Sequence, residues 1–421
     1  MRICLLTYRG NPYSGGQGIY VYYLSREFRR MGHDVEVIAG APLPEVSDGV
    51  TLHQLKSSSI FHPGSSFEGN LPTVRNPVDL CELCASRLGV FAEPWAFSFR
   101  AYARLRDLCR RHHFDIIHDN QGLGYGLLLM KRLGMPVVAT IHHPLTIDRQ
   151  ADLEQSSGLR NTWRIRRFYS FIRMQAFVAR RLDRIITVSN SSAQDTRRFF
   201  RVPAHKFRIV YNGIDTEIYG RNERSDRKRD GLIMVANTDD RKKGVLYLLQ
   251  ALQMLKEEGL RLTIVDDAER HSSYAEDVGP LPSYGYRLVR EFNLDGAVHF
   301  TGRLAPEELA RYYSSARIAV VPSLYEGFGI PAAEAMACGT PVIATTGGAL
   351  PEVVGDAGIL VPPRDPDALA AAIRQLLSDT EVQRRMSEVG RKRVNDKFSW
   401  ERAAKETLAV YREVLAANDH R

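Results

Sequence analysis

The chain has 421 residues, more than a single hydrophobic core ordinarily spans, so two domains are expected. Apolar residues make up 44% of it and charged residues 25%, the balance of a soluble globular protein, and the apolar segment Gly124 to Met130 is broken by Lys131 and Arg132, short of the roughly 18 uninterrupted apolar residues of a membrane span. The net charge of +8 favours anionic partners such as nucleotides or phospholipid surfaces, whereas no zinc-finger spacing, aromatic RNA-binding signature or lysine-rich tail supports nucleic acid.

In chain order, a strand is expected from Arg2 to Tyr8. Polar residues follow it at once, so no secretory signal is read and a cytoplasmic location is expected. The glycine loop Ser14-Gly15-Gly16-Gln17-Gly18 then leads into a helix that runs to Met31 and stops at Gly32. A dinucleotide fingerprint would place a third glycine where Val21 stands and an acid where Ala39 and Gly40 close the second strand, Asp34 to Ala39, so a nicotinamide reading is poor. A loop whose backbone approaches a phosphate closely stays open beside a plain strand-helix turn.

The segment Ser57 to Pro77, rich in Ser, Gly and Pro, reads as a long loop. Cys81 and Cys84 form a lone CxxC without a second pair or nearby histidines, a pattern better suited to helix packing than to zinc. With Cys4, Cys109 and Cys338 they make five cysteines, an odd number that argues for free thiols. Further strands are expected at Ile116-Ile117, Val137 to Ile141 and Arg184 to Val188. Their ends carry His118-Asp119, His142-His143 and Ser189-Asn190, and ligands of open parallel sheets bind at the carboxyl ends of strands. Between Arg160 and Arg181 lie seven arginines interleaved with aromatic and aliphatic residues. Two readings stand: a core stripe at Phe168, Phe171, Val178 and Leu182 with a solvated basic face, or a patch that rests on anionic lipid or receives an anionic acceptor.

The charged run Arg221 to Asp230 marks the passage to a second unit. Its strands are expected at Leu232 to Ala236, Leu262 to Val265, Ala297 to Phe300, Ile318 to Val321, Val342 to Thr345 and Ile359 to Val361. Alternating strands and helices point to an α/β fold with parallel sheets covered on both faces. After Val321, Gly327 and Gly329 permit a sharp turn and Pro331 suits the first turn of a helix. The free N–H groups there favour a diphosphate, and the ionised carboxylates Glu326 and Glu334, which only accept hydrogen bonds, suit hydroxyl pairs. A last helix after Ser399 turns Trp400, Ala403, Leu408 and Tyr411 to one side and is expected to cross back onto the first domain. The expected boundaries are residues 1–207, 208–398 and the returning helix 399–421.

These motifs together resemble family 4 of the retaining glycosyltransferases. The resemblance is carried by the N-terminal glycine loop, Val138-Ala139-Thr140-Ile141-His142, Tyr211-Asn212-Gly213-Ile214-Asp215, Lys243-Gly244, Phe300-Thr301-Gly302, and above all the block from Val321 to Val361 with its two glutamates eight positions apart. It implies the GT-B architecture, two Rossmann-like domains facing a cleft, and transfer of a sugar from a nucleotide-diphosphate donor to a hydroxyl acceptor with retention of configuration. Position by position, it implies that Glu334 binds the donor ribose and Glu326 the donor sugar, and that Gly327, Phe328, Gly329 and Ile330 line the sugar and diphosphate. Gly15 and Gly16 would approach the diphosphate from the other domain, Gly302 and Arg303 would flank the donor, and Lys243 would bind phosphate.

Asn237 stands where the family places an arginine, a departure that removes one cation from the expected diphosphate clamp, with Arg241 or Lys242 as candidate substitutes. His142 matches the family histidine beside the reacting sugar. His118, Asp119 and His143 are further candidates on the acceptor side. No cofactor and no metal are expected. A sugar-nucleotide epimerase and a non-catalytic nucleotide-sugar-binding protein of the same fold are the alternatives. Closure by bending near Pro203 to Asp215 is expected to accompany turnover.

Overall fold

Short β-branched runs alternate with amphipathic helices along the chain, and in the computed structural model they assemble into two parallel sheets. The structure describes residues 1–10, 16–55, 74, 76–154, 156–220, 229–270 and 281–419. Gly15, nearly all of the loop expected at 57–77 and most of the charged run expected at 221–230 lie outside them. The chain divides into two units, residues 1–210 with 400–421, and residues 211–399.

The first unit contains β1 (Arg2–Thr7), α1 (Gln17–Arg30), β2 (Asp34–Ala39), β3 (Thr51–Gln54), α2 (Pro77–Arg87), α3 (Glu93–Leu108), β4 (Ile116–Asn120), α4 (Gly126–Lys131) and β5 (Val137–Ile141). It continues with α5 (Thr146–Glu154), α6 (Leu159–Phe168), α7 (Ile172–Ala179), β6 (Arg184–Thr187), α8 (Asn190–Phe200) and β7 (Phe207–Ile209). The strands pair in the order β3-β2-β1-β4-β5-β6-β7, all parallel. The edge strands β3 and β7 escape a reading by apolar runs because Thr51–Gln54 and Phe207–Ile209 have no fully buried residue.

One face of this sheet packs Leu105, Leu127, Met130, Phe171 and Val178. The other packs Tyr20, Leu24 and Phe28 of α1 against Trp400, Leu408 and Tyr411, which belong to the last helix of the chain. The basic segment is two helices, α6 and α7, separated by a 3-10 turn at Tyr169–Phe171. Phe171, Val178 and Leu182 are buried and Phe168 is partly so, which gives α7 the core stripe. Cys81 and Cys84 are exposed on α2, contrary to the packing role expected for them: their helix offers its other face, with Asp79 and Glu82, to Arg100.

The second unit contains β8 (Asp230–Val235), α9 (Val245–Met254), β9 (Leu262–Val265), a short antiparallel pair β10 (Glu269–Arg270) and β11 (Leu281–Pro282), α10 (Tyr284–Glu291), β12 (Val298–Phe300) and α11 (Pro306–Ser315). Then come β13 (Ala316–Val321), α12 (Ile330–Ala337), β14 (Val342–Thr345), α13 (Leu350–Val354), β15 (Gly358–Val361), α14 (Pro366–Ser378) and α15 (Thr380–Lys397); α16 (Trp400–Asp419) returns to the first unit. The main sheet runs β12-β9-β8-β13-β14-β15, again parallel. Its two inner strands β8 and β13 mark the point where strand order reverses, the place where open α/β sheets receive ligands.

Candidate active site

In the second unit, the loops leaving β8 and β13 lie side by side. Leu324 donates its backbone N–H to Lys242 at 2.7 Å. Gly244 makes this approach possible: its φ is +70°, and a Cβ there would meet the Pro322 carbonyl oxygen at 2.0 Å. The 3-10 turn Arg241–Lys243, capped by Asp240 accepting from the Lys242 N–H at 3.0 Å, then delivers Lys243 to Glu326. Their ammonium and carboxylate meet at 2.7 Å, and the same oxygen of Glu326 accepts from the Ser323 hydroxyl at 2.8 Å.

The backbone of Glu326 is held from the other side by the loop after β14. Ala349 donates to the Glu326 carbonyl at 2.9 Å, and Gly348, at φ +64°, passes so near that a Cβ would lie 2.2 Å from that oxygen. Thr346-Gly347-Gly348 is thus the back wall of the glutamate loop. Phe328 is buried, its ring 5.4 Å from that of Phe398 and 6.3 Å from that of Tyr211. Gly329 caps α12 without a side chain, Pro331 sits in its first turn, and the leading N–H groups of that helix carry a partial positive charge. A carboxylate, an ammonium and a helix N-terminus therefore share one end of the sheet.

Glu334 stands in the second turn of α12, half-buried. The Tyr313 hydroxyl donates to it at 3.3 Å. Burial pushes its carboxyl up to about 7, and the hydroxyls of Tyr219 and Tyr313 oppose that shift. Tyr313 is itself enclosed and its phenol is raised well above the ordinary range by burial, so it stays protonated and can only serve this carboxylate as a donor.

Asn237, where the resemblance leads one to expect an arginine, is exposed and closes a local turn: its side-chain oxygen accepts from the Asp239 N–H at 3.1 Å. Arg241 lays its guanidinium 4.3 Å from the Tyr284 ring centroid, and Lys242 is 3.7 Å from Asp240. Gly302 and Arg303 follow β12 at the same end of the sheet; Gly302 donates to Asp266 at 3.1 Å and Arg303 pairs with Asp267 at 3.3 Å.

In the first unit, Gly16 is the exposed N-cap residue of α1. His142 follows β5 and is fixed at three atoms. Its N–H donates to the Gln121 side chain at 2.7 Å, its carbonyl accepts from the Ser192 hydroxyl at 2.6 Å, and its Nε2 meets the Asn120 side-chain oxygen at 2.8 Å. Burial, with a smaller contribution from His143, lowers its pKa to about 3, so the ring is neutral. His143 pairs with Asp148 at 2.9 Å, and its carbonyl accepts from Gln121.

Two acceptor-side candidates point elsewhere. His118 is buried with both ring nitrogens engaged, Nδ1 with the Tyr411 hydroxyl and Nε2 with Thr140 at 2.7 Å. Asp119 is equally buried and accepts from the Leu123 N–H at 2.8 Å, closing a loop in which Gln121 and Leu123 have φ of +58° and +52°. Neither side chain presents a free face to an acceptor, because the central strand β4 is covered by helices on both sides. Asn120, Gln121 and Ser192 are the residues that sequence reasoning passes over; left-handed backbone at a non-glycine residue is the kind of strain that gathers at functional sites, and a string of letters does not display it.

Comparison with known proteins places these features in context. Residues 14–218 match the model described as Glycosyltransferase Family 4, and residues 217–393 the one described as Glycosyl transferases group 1. The chain is 40% identical over 99% of both sequences to the MMP alpha-(1->4)-mannosyltransferase of Mycolicibacterium hassiacum. Among solved structures, sucrose-phosphate synthase from Thermosynechococcus elongatus superposes with a TM-score of 0.74 at 24% identity, covering 99% of both chains. Anabaena HepE in complex with UDP and glucose superposes with a TM-score of 0.67 at 16% identity, covering 97% of this chain and 99% of that one. The two parallel-sheet units have the GT-B architecture.

Proposed function

This chain belongs to the group 1 glycosyltransferases of family 4, and from that premise we propose that it transfers a mannosyl residue from a nucleotide-diphosphate donor to a sugar hydroxyl, with retention of configuration and without a metal. The mannosyl assignment is supported by the 40% identity over nearly full length to a mannosyltransferase. The chemistry rests on one observation, the Lys243–Glu326 pair at 2.7 Å beside the N-terminus of α12.

In this reading Glu334 binds the ribose diol and Glu326 the hydroxyls of the donor sugar. As the glycosidic bond lengthens, negative charge gathers on the diphosphate; the Lys243 ammonium and the backbone N–H groups of Phe328, Gly329 and Ile330 would meet it, stabilisation worth several kcal/mol when the donors are preorganised. Attack comes from the face the diphosphate leaves, with a phosphate oxygen receiving the proton of the acceptor hydroxyl. A double displacement through Glu326 would instead leave a covalent glycosyl adduct. Incubation with GDP-, UDP- and ADP-mannose and a mannoside acceptor, with NMR assignment of the new linkage, tests the proposal: an α-linked product from an α-linked donor supports it, and an inverted product or isomerised donor sugar refutes it.

We further propose that α6 rests on an anionic lipid surface. This ten-residue helix has no fully buried residue, exposes Leu159 by 91% and Trp163 by 60%, and carries Arg160, Arg166 and Arg167 around the same outward face, a pairing of apolar and cationic groups suited to a headgroup layer. Sedimentation with phosphatidylglycerol vesicles, lost on replacing Trp163 and Arg166 by alanine, is the expected result; no sedimentation of the native chain would end the idea.

A further inference from the structure

We propose that Asn120 is a positioning residue that fixes the tautomer of His142, holding the proton on Nε2 and leaving Nδ1 as the hydrogen-bond acceptor atom of the ring.

The amide orientation of Asn120 carries the argument. Its side-chain nitrogen donates to the Gln17 carbonyl at 3.0 Å, an atom that can only accept. The oxygen of the amide is therefore the atom 2.8 Å from Nε2 of His142, and between an amide oxygen and a ring nitrogen a hydrogen bond exists only if the nitrogen bears the proton. A neutral imidazole has one proton, so Nδ1 keeps its lone pair. Among the described residues nothing donates to Nδ1. The ring plane is held by the Tyr20 ring, edge-on at 5.0 Å and 87°, and the backbone by Gln121 and Ser192. Gln121 is in turn fixed by Gln175, whose amide donates to its carbonyl at 3.2 Å.

The arrangement couples the first turn of α1 to the end of β5. A chain that moved Gln17 would release the Asn120 amide, and with it the proton preference of His142. The consequence for catalysis rests on the proposed role of His142: its acceptor lone pair would receive a sugar hydroxyl, and a cationic or flipped ring could not.

Nitrogen-15 NMR of the full chain labelled on histidine, with His142 assigned by comparison with His142→Gln, tests the assignment without relying on activity. The native protein is expected to show the Nε2–H pattern at neutral pH. In Asn120→Ala the pattern should move toward a mixture of tautomers, and kcat should fall roughly tenfold or more with little change in donor KM. Asn120→Asp keeps the acceptor and adds a charge. With Tyr20, His118 and His143 as the other titratable groups near the ring, His142 should then show both nitrogens protonated at neutral pH and lose that second proton as pH rises. An Nδ1–H pattern in the native protein, or an unchanged pattern in both variants, would overturn the inference. If the patterns change as expected while His142→Gln keeps full kcat, the tautomer assignment stands and the proposed role of His142 falls.

Discussion

The two units carry the same parallel-sheet plan but arm it differently. In the second unit the strand-order reversal is furnished with charge: Lys243 and Glu326 pair beside the N-terminus of α12, Glu334 stands one turn further along it, and glycines press the supporting loops together. In the first unit, the groups that hold His142 at the corresponding strand ends are neutral: the amides of Asn120 and Gln121 and the Ser192 hydroxyl, around an uncharged ring. The difference teaches how one architecture divides labour. Charged groups on a glycine-shaped loop suit recognition of a diphosphate and its sugar, whereas a buried neutral network suits exact placement of one ring, since each of its members is costly to leave unpaired.

The sharpest way to break this contrast is to remove charge from the second unit. Glu326→Gln and Lys243→Ala should each lower kcat by about a hundredfold or more, the scale associated with preorganised electrostatic groups, measured by product formation at saturating donor; a change under threefold in both would dissolve the distinction. Next in size, Gly348→Ala forces a Cβ against the Glu326 carbonyl and should displace the glutamate loop, raising donor KM about tenfold or more while the melting temperature falls by a few degrees.

The pH dependence of donor binding sharpens the comparison further. Burial raises the Glu334 carboxyl to about 7: protonated, it loses the acceptor capacity that the proposed ribose contact needs, and ionised, both oxygens can accept. Donor affinity measured calorimetrically should therefore rise as pH goes from about 6 to about 8, and Tyr313→Phe, which removes a donor to the carboxylate, should move that rise to higher pH. His118→Phe belongs to the first unit's interior. It strands the Tyr411 hydroxyl and removes one of two partners from the Thr140 hydroxyl, which keeps Tyr20, and should cost about 1–3 kcal/mol of stability by denaturant titration, with kcat of the folded fraction unchanged. Smallest of all, EDTA treatment should leave turnover unaltered if Lys243 and α12 supply the positive charge; loss of turnover restored by a divalent cation would refute the metal-free proposal.

Much of the fold and of the second unit's loops is legible in the letters. Apolar runs of four to six residues mark the inner strands, and Gly327, Gly329, Pro331 and the Thr346-Gly347-Gly348 triplet are residue types whose backbone demands are visible without coordinates. Edge strands β3 and β7 are not, because one-sided burial weakens the apolar signal. The first unit's network is hidden for another reason. In β4 every residue from Ile116 to Asn120 is buried, so a position at a strand end does not distinguish His118, whose ring nitrogens serve Tyr411 and Thr140, from Asn120, which serves His142. Nor does sequence reveal that Gln121 adopts φ of +58°, since glutamine carries no marker for a left-handed turn. The departure at Asn237 is visible in the sequence, but the exposed turn it closes with the Asp239 N–H is a matter of geometry alone.

Calorimetric titration of the native chain, Glu326→Gln and Glu334→Gln with a nucleotide-mannose and with its free nucleoside diphosphate tests the central claim most directly. The account predicts that Glu334→Gln weakens both ligands, whereas Glu326→Gln weakens the nucleotide-mannose and leaves the free diphosphate nearly as tight as before. Native affinity of both variants for both ligands would contradict it.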